Sequence, residues 1–334
     1  MWWIVFTSMK EQLITVKPAL AGMNPTSPTS RMVKIQDGRL WAYGGAYCIS
    51  VPIQSDLDCG FYPEPVAAFF SSPRIGYSLT SKNGRLYMKH GKTEVSTPIL
   101  PASEIPVLAV IGNPLACEPI TTLAKAAKIA LPGAADYRQA ICFRDQQIYA
   151  AGLSLAFASS GLSFAHPDFY ITPEAAIAIG SQDCPITGVT YDRMAIQFDF
   201  VNGVRIAARL LELDFPPTVA TIFEGEKEAP IEMDAEIIRE ILSYRLSEKD
   251  MSGAIIDLLW SFKDGNISFR GPNDNTGTFE DAYNGEVEFR IKGENLRKIL
   301  ETKADLLLLG DESRWTRLLA LGEGYAVVSA LTVS

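Results

Sequence analysis

Apolar and polar residues alternate through Val33-Lys-Ile-Gln-Asp-Gly-Arg-Leu-Trp-Ala-Tyr43. This is the pattern of two half-buried strands joined at Asp37-Gly38, where glycine supplies the positive φ of a tight turn. The pattern returns at Ile141-Cys-Phe-Arg-Asp-Gln-Gln-Ile-Tyr149 and at Leu259-Trp-Ser-Phe-Lys-Asp-Gly-Asn-Ile-Ser-Phe269, placing Asp145 and Asp264 where Asp37 stands. Between these hairpins the apolar period changes from two to that of a helix. One helical stretch opens each unit, over Ser8 to Lys17, Thr121 to Leu131 and Asp234 to Ser243. A second, shorter one follows at Glu64 to Ser71, Pro173 to Ile179 and Gly293 to Thr302. Each unit closes on a strand pair, over Gly84 to Leu100, Arg193 to Leu213 and Arg314 to Val333. Four landmarks in the same order, three times over, predict three copies of one α+β unit of roughly 110 residues. Met1-Trp-Trp-Ile-Val-Phe-Thr7 reads as a first strand, too short and too little basic for a signal peptide.

The helices are two-faced. Met9, Leu13, Val16 and Leu20 form one apolar stripe, with Pro18 expected to kink the helix or end it near Lys17. Leu123, Ala127 and Ala130 form the second stripe, with Lys125 and Lys128 on the opposite side; Ile238, Ile241 and Leu242 form the third, with Arg239 at its edge. Lys10, Lys17, Arg297 and Lys298 complete a basic helical surface that recurs in every unit. One such cluster reads as a solvated face; the recurrence is what points to a ligand.

Charge sharpens that reading. The 334 residues carry 39 acidic and 30 basic side chains, a net charge of −9, so a basic coat for nucleic acid is excluded while local basic stripes are not. No run of 18 apolar residues occurs, and a soluble, cytoplasmic protein with no membrane partner is expected. Cys48, Cys59, Cys117, Cys142 and Cys184 are odd in number and never spaced C-x-x-C, which predicts buried thiols rather than a zinc site or disulfide framework. Only His90 and His166 are present, in different units, so no metal and no cofactor is expected. Gly84 and Gly91-Lys92-Thr93 are misspaced for a phosphate loop and fall in a hairpin, and Gly322-x-Gly324 reads as a turn. No nucleophile, base and orienting acid come together, so no catalytic residue and no enzyme are expected.

Two junctions carry a resemblance. Leu100-Pro101-Ala102 with Ile105-Pro106, and Leu213-x-Phe215-Pro216, lie 110 residues apart and are similar to the interdomain links of the bacterial DNA sliding clamp, the β subunit family of DNA polymerase III. Thr15-Val-Lys-Pro-Ala-Leu20 resembles that family's first helix, Ala135-Asp-Tyr-Arg138 its arginine loop before the strands of domain two, and Tyr325 to Val333 its closing apolar strand. The resemblance implies an α+β chain of three tandem DNA-clamp domains, at 1–107, 108–221 and 222–334, each two helices packed on antiparallel sheets. Two chains would close head to tail, through edge strands of domains one and three, into a ring around duplex DNA. The partners implied are that DNA, held without sequence preference, a DNA polymerase, a clamp loader and a second copy of the chain. Lys10, Lys17, Lys125, Lys128, Arg138, Arg239, Arg297 and Lys298 would face phosphates. The family's partner-peptide pocket would be built from Gly152, Leu153, Leu155, Pro216, Ala220, Thr221, Val327, Ser329 and Leu331. Its usual Gly-His-Arg-Leu wall is Gly152-Leu-Ser-Leu155 here, its Met-Pro-Met-Arg-Leu tail is Ser329-Ala-Leu-Thr-Val333, and Ala220 stands at a basic position. These departures imply a divergent, phage-encoded member whose apolar groove has lost its basic contacts. The competing reading is a repetitive α+β scaffold that does not bind DNA.

Overall fold

A computed structural model describes residues 9–20, 28–71, 76–108, 110–117, 120–223, 228–233, 235–244, 247–249, 255–271, 276–284, 288–303, 306–312 and 315–331. The strand expected at Met1 to Thr7 lies outside the described residues. All six expected helices form: Met9–Val16, Pro63–Phe69, Leu123–Ile129, Pro173–Gly180, Ala235–Ser243 and Gly293–Glu301. Pro63 and Pro173 each occupy a first turn, where their missing N–H costs nothing. Thr172 caps the second of these helices through its hydroxyl, which accepts from the Ala175 N–H.

The three expected hairpins turn at the expected residues. Val33–Gln36 joins Arg39–Tyr43, Ile141–Arg144 joins Gln147–Ala151, and Leu259–Lys263 joins Asn266–Arg270. Both central residues of each turn have positive φ: Asp37 at 51° and Gly38 at 66°, Asp145 at 49° and Gln146 at 62°, Asp264 at 50° and Gly265 at 76°. A two-residue turn with that geometry matches the twist of the strands it joins. Gln146 therefore holds a left-handed conformation that glycine takes in the sister turns.

The chain divides into two compact units that do not follow the sequence repeat. The first comprises 1–124, 162–164 and 169–212. Its ten-stranded sheet runs Ile186–Tyr191, Ala195–Phe200, Arg205–Arg209, Tyr47–Pro52, Arg39–Tyr43, Val33–Gln36, Cys59–Phe61, Thr93–Leu100, Arg85–His90, Ser78–Lys82, every pairing antiparallel. Strands of the first and second repeats are joined there by Arg205–Arg209 against Tyr47–Pro52. Helix Met9–Val16 packs on Arg39–Tyr43, Tyr47–Pro52 and helix Pro63–Phe69. Lys34, buried, donates through Nζ to the carbonyls of Ile105 at 3.1 Å and Ala102 at 3.4 Å, fixing the Pro101 to Ile105 turn; burial lowers its pKa. A Cβ on Gly60 would strike the buried Ile105 side chain, which would have to move to admit it.

The second unit comprises 125–161, 165–168 and 213–334. Its large sheet carries, in order, Ile141–Arg144, Gln147–Ala151, Leu155–Ser160, Tyr325–Ala330, Trp315–Gly322, Leu306–Glu312, Glu228–Met233 and Tyr283–Asn284. The second and third repeats are joined where Leu155–Ser160 pairs with Tyr325–Ala330. A four-stranded sheet, Thr276–Phe279, Asn266–Arg270, Leu259–Lys263, Phe289–Lys292, surrounds the fully buried Trp260 and Phe262.

Several burial expectations change. The α-helix ends at Val16 and becomes a 3-10 turn over Lys17–Leu20, so Ala19 takes the buried position and Leu20 is half-buried. The tighter turn eclipses positions three apart and shifts the stripe by one residue. Ile241 is buried while Ile238 and Leu242 are half-buried. Cys48, Cys59 and Cys142 are buried, but Cys117 and Cys184 only half-buried. Among the described residues, no helix is long and apolar enough to cross a membrane.

Candidate functional site: a neutral groove and the basic helices

The second unit contains a groove of about 480 Å³ whose lining has no charged side chain. Strand Gln147–Ala151 turns through Gly152-Leu153-Ser154 into Leu155–Ser160, and this turn forms one lip. The Gly152 N–H donates to the Leu155 carbonyl at 2.8 Å, and a Cβ on Gly152 would lie 2.9 Å from the Ile129 oxygen, so only glycine fits. Leu153 is left 77% exposed at the lip, its apolar side chain without cover. Two bonds tie the lip down. The Ala330 N–H donates to the Ser154 carbonyl at 3.0 Å, and Asn295 Nδ2 donates to Ser154 Oγ at 2.7 Å. Asn295 also approaches Ser329 Oγ at 3.4 Å and is itself only 8% exposed.

The opposite wall follows the Phe215-Pro216-Pro217 junction. Phe215 is buried beside Tyr137 (ring centroids 5.7 Å apart, edge-on) and Tyr149 (5.4 Å). The Pro216 carbonyl accepts from the Val219 N–H, opening the short helix Thr218–Thr221. Ile222 and Phe223 then pack on Leu319 and Val328.

Of the residues the sequence pointed to, Gly152, Leu153, Leu155 and Thr221 line this groove. Val328 and Ala330 line it in place of Val327 and Ser329. Successive strand residues point to opposite faces, so an error of one residue moves the set to the other side. Val327 and Ser329 lie fully buried there. Pro216 shapes the wall through its carbonyl; it, Ala220 and Leu331 are half-buried and outside the lining. Tyr137, Ser154, Val219 and Ile222, which sequence reasoning did not single out, belong to it.

The basic residues fall into two groups. Lys10, Lys17, Lys128 and Arg297 make no ion pair among the described residues, although Lys10 Nζ lies 3.5 Å from the Ser71 carbonyl. The others are engaged. Arg138 is clamped to Asp136, 2.8 Å at Nη2 and 2.9 Å at Nε. Those side-chain bonds, with the Arg138 N–H, hold the Asp136 carboxyl below its usual range. Lys298 lies 3.4 Å from Glu294, and Arg239 3.9 Å from Glu236. Lys125, expected on a solvent face, is half-buried with Nζ 3.9 Å above the Tyr325 ring. Lys10 and Lys17 belong to the first unit and the other six residues to the second.

No protein-family model matches the sequence, and no curated protein matches it. Solved structures match it over nearly its whole length. The DNA polymerase sliding clamp of Bacillus subtilis superposes with a TM-score of 0.77 at 14% identity, covering 97% of both chains. The DNA polymerase III β chain of Streptococcus pneumoniae gives 0.75 at 16% identity, and the Helicobacter pylori β clamp bound to a DNA ligase peptide 0.73 at 13%, each again over 97% of both chains. Likeness at such low identity shows the fold. The chain has the α+β fold of the bacterial DNA polymerase III β sliding clamps, as the two junctions led us to expect, in a sequence far diverged from theirs.

Proposed function

We propose that this protein is a DNA sliding clamp: a non-catalytic ring that encircles duplex DNA and tethers a DNA polymerase. The observation that carries the reading is the whole-length likeness to bacterial sliding clamps, 97% of each chain at TM-scores up to 0.77. The recurrence of basic residues on helices of an acidic chain supports it. In this reading the domains are 1–107, 108–221 and 222–334, two chains close the ring, and a loader opens it on DNA in the cytoplasm. The eight basic residues face the DNA axis. Contact is weak by construction, because Arg138, Arg239 and Lys298 must share themselves with Asp136, Glu236 and Glu294. A ring that slides needs phosphate contacts of that kind and no base readout.

We assign to the neutral groove the peptide of the polymerase. The Helicobacter pylori clamp was solved with a DNA ligase peptide, and a groove with an exposed leucine at its lip suits a short segment held by apolar anchors. Retention on DNA tests the main reading. The protein, loaded with its replication machinery, should stay on nicked circular plasmid through gel filtration and leave when the plasmid is linearised. Equal retention on both forms, or none on either, would overturn it. If only the four unpaired cations of each chain meet phosphates, log affinity should fall with log salt with a slope no steeper than about 7 for two chains.

A further inference from the structure

The first unit has a second cleft, of about 260 Å³, at the seam where Arg205–Arg209 joins Tyr47–Pro52. Two guanidinium groups line it, Arg39 from the first repeat and Arg205 from the second, with one carboxylate, Asp199. Arg39 is half-buried, and every acceptor it has among the described residues is neutral. Its Nε donates to Ser50 Oγ at 3.0 Å, and its Nη2 to the carbonyls of Gly203 at 2.7 Å and Ser50 at 3.2 Å. Its Nη1 meets no acceptor among the described residues. Arg205 Nε lies 2.9 Å from Asp199 Oδ1 in an ion pair, and neither of its terminal nitrogens has a hydrogen-bond partner among the described residues. Asp199 is further occupied by Gln197, whose amide donates to it at 3.1 Å. The lining thus holds two cations against one anion, with spare N–H donors on both cations. Burial, then the neighbouring Arg205 charge, push the Arg39 pKa down to about 10.

We propose that this cleft binds a phosphate-type oxyanion, held in the fork of Arg39 Nη1 and the terminal nitrogens of Arg205. Planar guanidinium groups present paired N–H donors that match phosphate oxygens, and an anion here would satisfy both while cancelling the excess positive charge. The cleft is roomy enough to admit the small organic part of a phosphate monoester beside the anion. Binding would tie the first repeat to the second, because the two arginines come from the two sides of the seam. The inference is independent of the clamp reading and of the groove.

The test is calorimetric titration of the full chain with inorganic phosphate at constant ionic strength, chloride being the control. A parallel titration with glycerol 3-phosphate distinguishes a free ion from a phosphate monoester, by which of the two binds tighter. One saturable site per chain is expected, with the thermal midpoint rising as phosphate saturates it. Arg205→Gln should weaken binding about tenfold, since a charge-assisted contact is lost. Asp199→Asn, which keeps the Oδ1 acceptor but removes the opposing charge, should tighten it about fivefold. Arg39→Lys should weaken it through loss of the fork; should that variant fail to fold, the Arg205 and Asp199 variants decide. Absence of saturable heat from both phosphate probes would overturn the proposal. So would affinities that Arg205→Gln and Asp199→Asn leave unchanged.

Discussion

Replacing Asn295 by alanine measures how firmly the groove lip is held. The two hydroxyls that Asn295 serves lie at different distances, 2.7 Å for Ser154 Oγ and 3.4 Å for Ser329 Oγ. The first is a good hydrogen bond and the second a marginal one. Ser329 keeps its own bond to the Ala330 carbonyl at 3.1 Å, so the loss falls chiefly on Ser154. A buried bond of this kind contributes about 0.5–1.5 kcal/mol, and leaving a partner unsatisfied brings the cost of Asn295→Ala to about 1–3 kcal/mol. The distances further require that the coupling lie with Ser154. A double-mutant cycle of Asn295→Ala with Ser154→Ala should give about 1 kcal/mol, and one with Ser329→Ala less than about 0.5 kcal/mol. Native-state hydrogen exchange at the Ala330 amide, which donates to the Ser154 carbonyl, is the local readout. Exchange should quicken about tenfold for each 1.4 kcal/mol by which the lip is loosened. Strict additivity with Ser154→Ala, or equal coupling to both serines, would refute the reasoning.

Gln146→Gly should stabilise the protein by about 0.5–1 kcal/mol, the left-handed strain relieved less the entropy of glycine, and Gly38→Gln should destabilise it by a similar amount; thermal unfolding of the two variants checks both signs. Lys125→Ala with Lys128→Ala should lower the salt slope of DNA retention by at most about 2 for each chain of the ring, and in free protein should cost about 0.5–1 kcal/mol from the lost contact with Tyr325. Burial pushes the Cys48 thiol up to about 12 and the Cys59 thiol up to about 11. Thiol alkylation at pH 8, read by mass spectrometry, should therefore spare both in the folded protein and reach the half-buried Cys117 first. Below about pH 4 the Asp136 carboxyl, whose folded pKa is depressed, should take up a proton as the pH falls through that lowered value. The Arg138 clamp is then lost and its contribution vanishes, which the Asp136 carbon chemical shift against pH would follow.

Local order was legible wherever a short-range rule governed it. Asp-Gly pairs and apolar spacing located the hairpins and the six helices, because turn geometry and helical period act within a few residues. The facing of Tyr325–Ala330 was not legible for a physical reason. Val327 and Val328 are both buried, one on each side of the sheet, so the alternation that reports a solvent face disappears. The groove wall from Thr218 to Ile222 was legible only at Thr221, since what it faces is set by a pairing between residues far apart in the chain. Some of what was missed had a signal. Glu294 four before Lys298 and Glu236 three before Arg239 are helical spacings at which ion pairs form, so those two cations could have been recognised as engaged from the sequence, whereas Asp136 two before Arg138 is not such a spacing. The Arg39 cleft had none, because its two arginines meet only after strands of different repeats have paired.

The sheets that run through repeat boundaries have a consequence for synthesis. Tyr47–Pro52 waits for Arg205–Arg209, and Leu155–Ser160 for Tyr325–Ala330, before either gains its neighbour. As the chain leaves the ribosome, each of these strands exposes an open hydrogen-bonding edge while more than 150 further residues are made. Such edges recruit other strands, and non-local pairing is slow. The repeat is therefore not the unit that folds. Cutting at Ile105-Pro106 or Phe215-Pro216 would release fragments with unpaired edges rather than autonomous modules, and crowding of nascent chains should favour exchange of Arg205–Arg209 or Tyr325–Ala330 between neighbours.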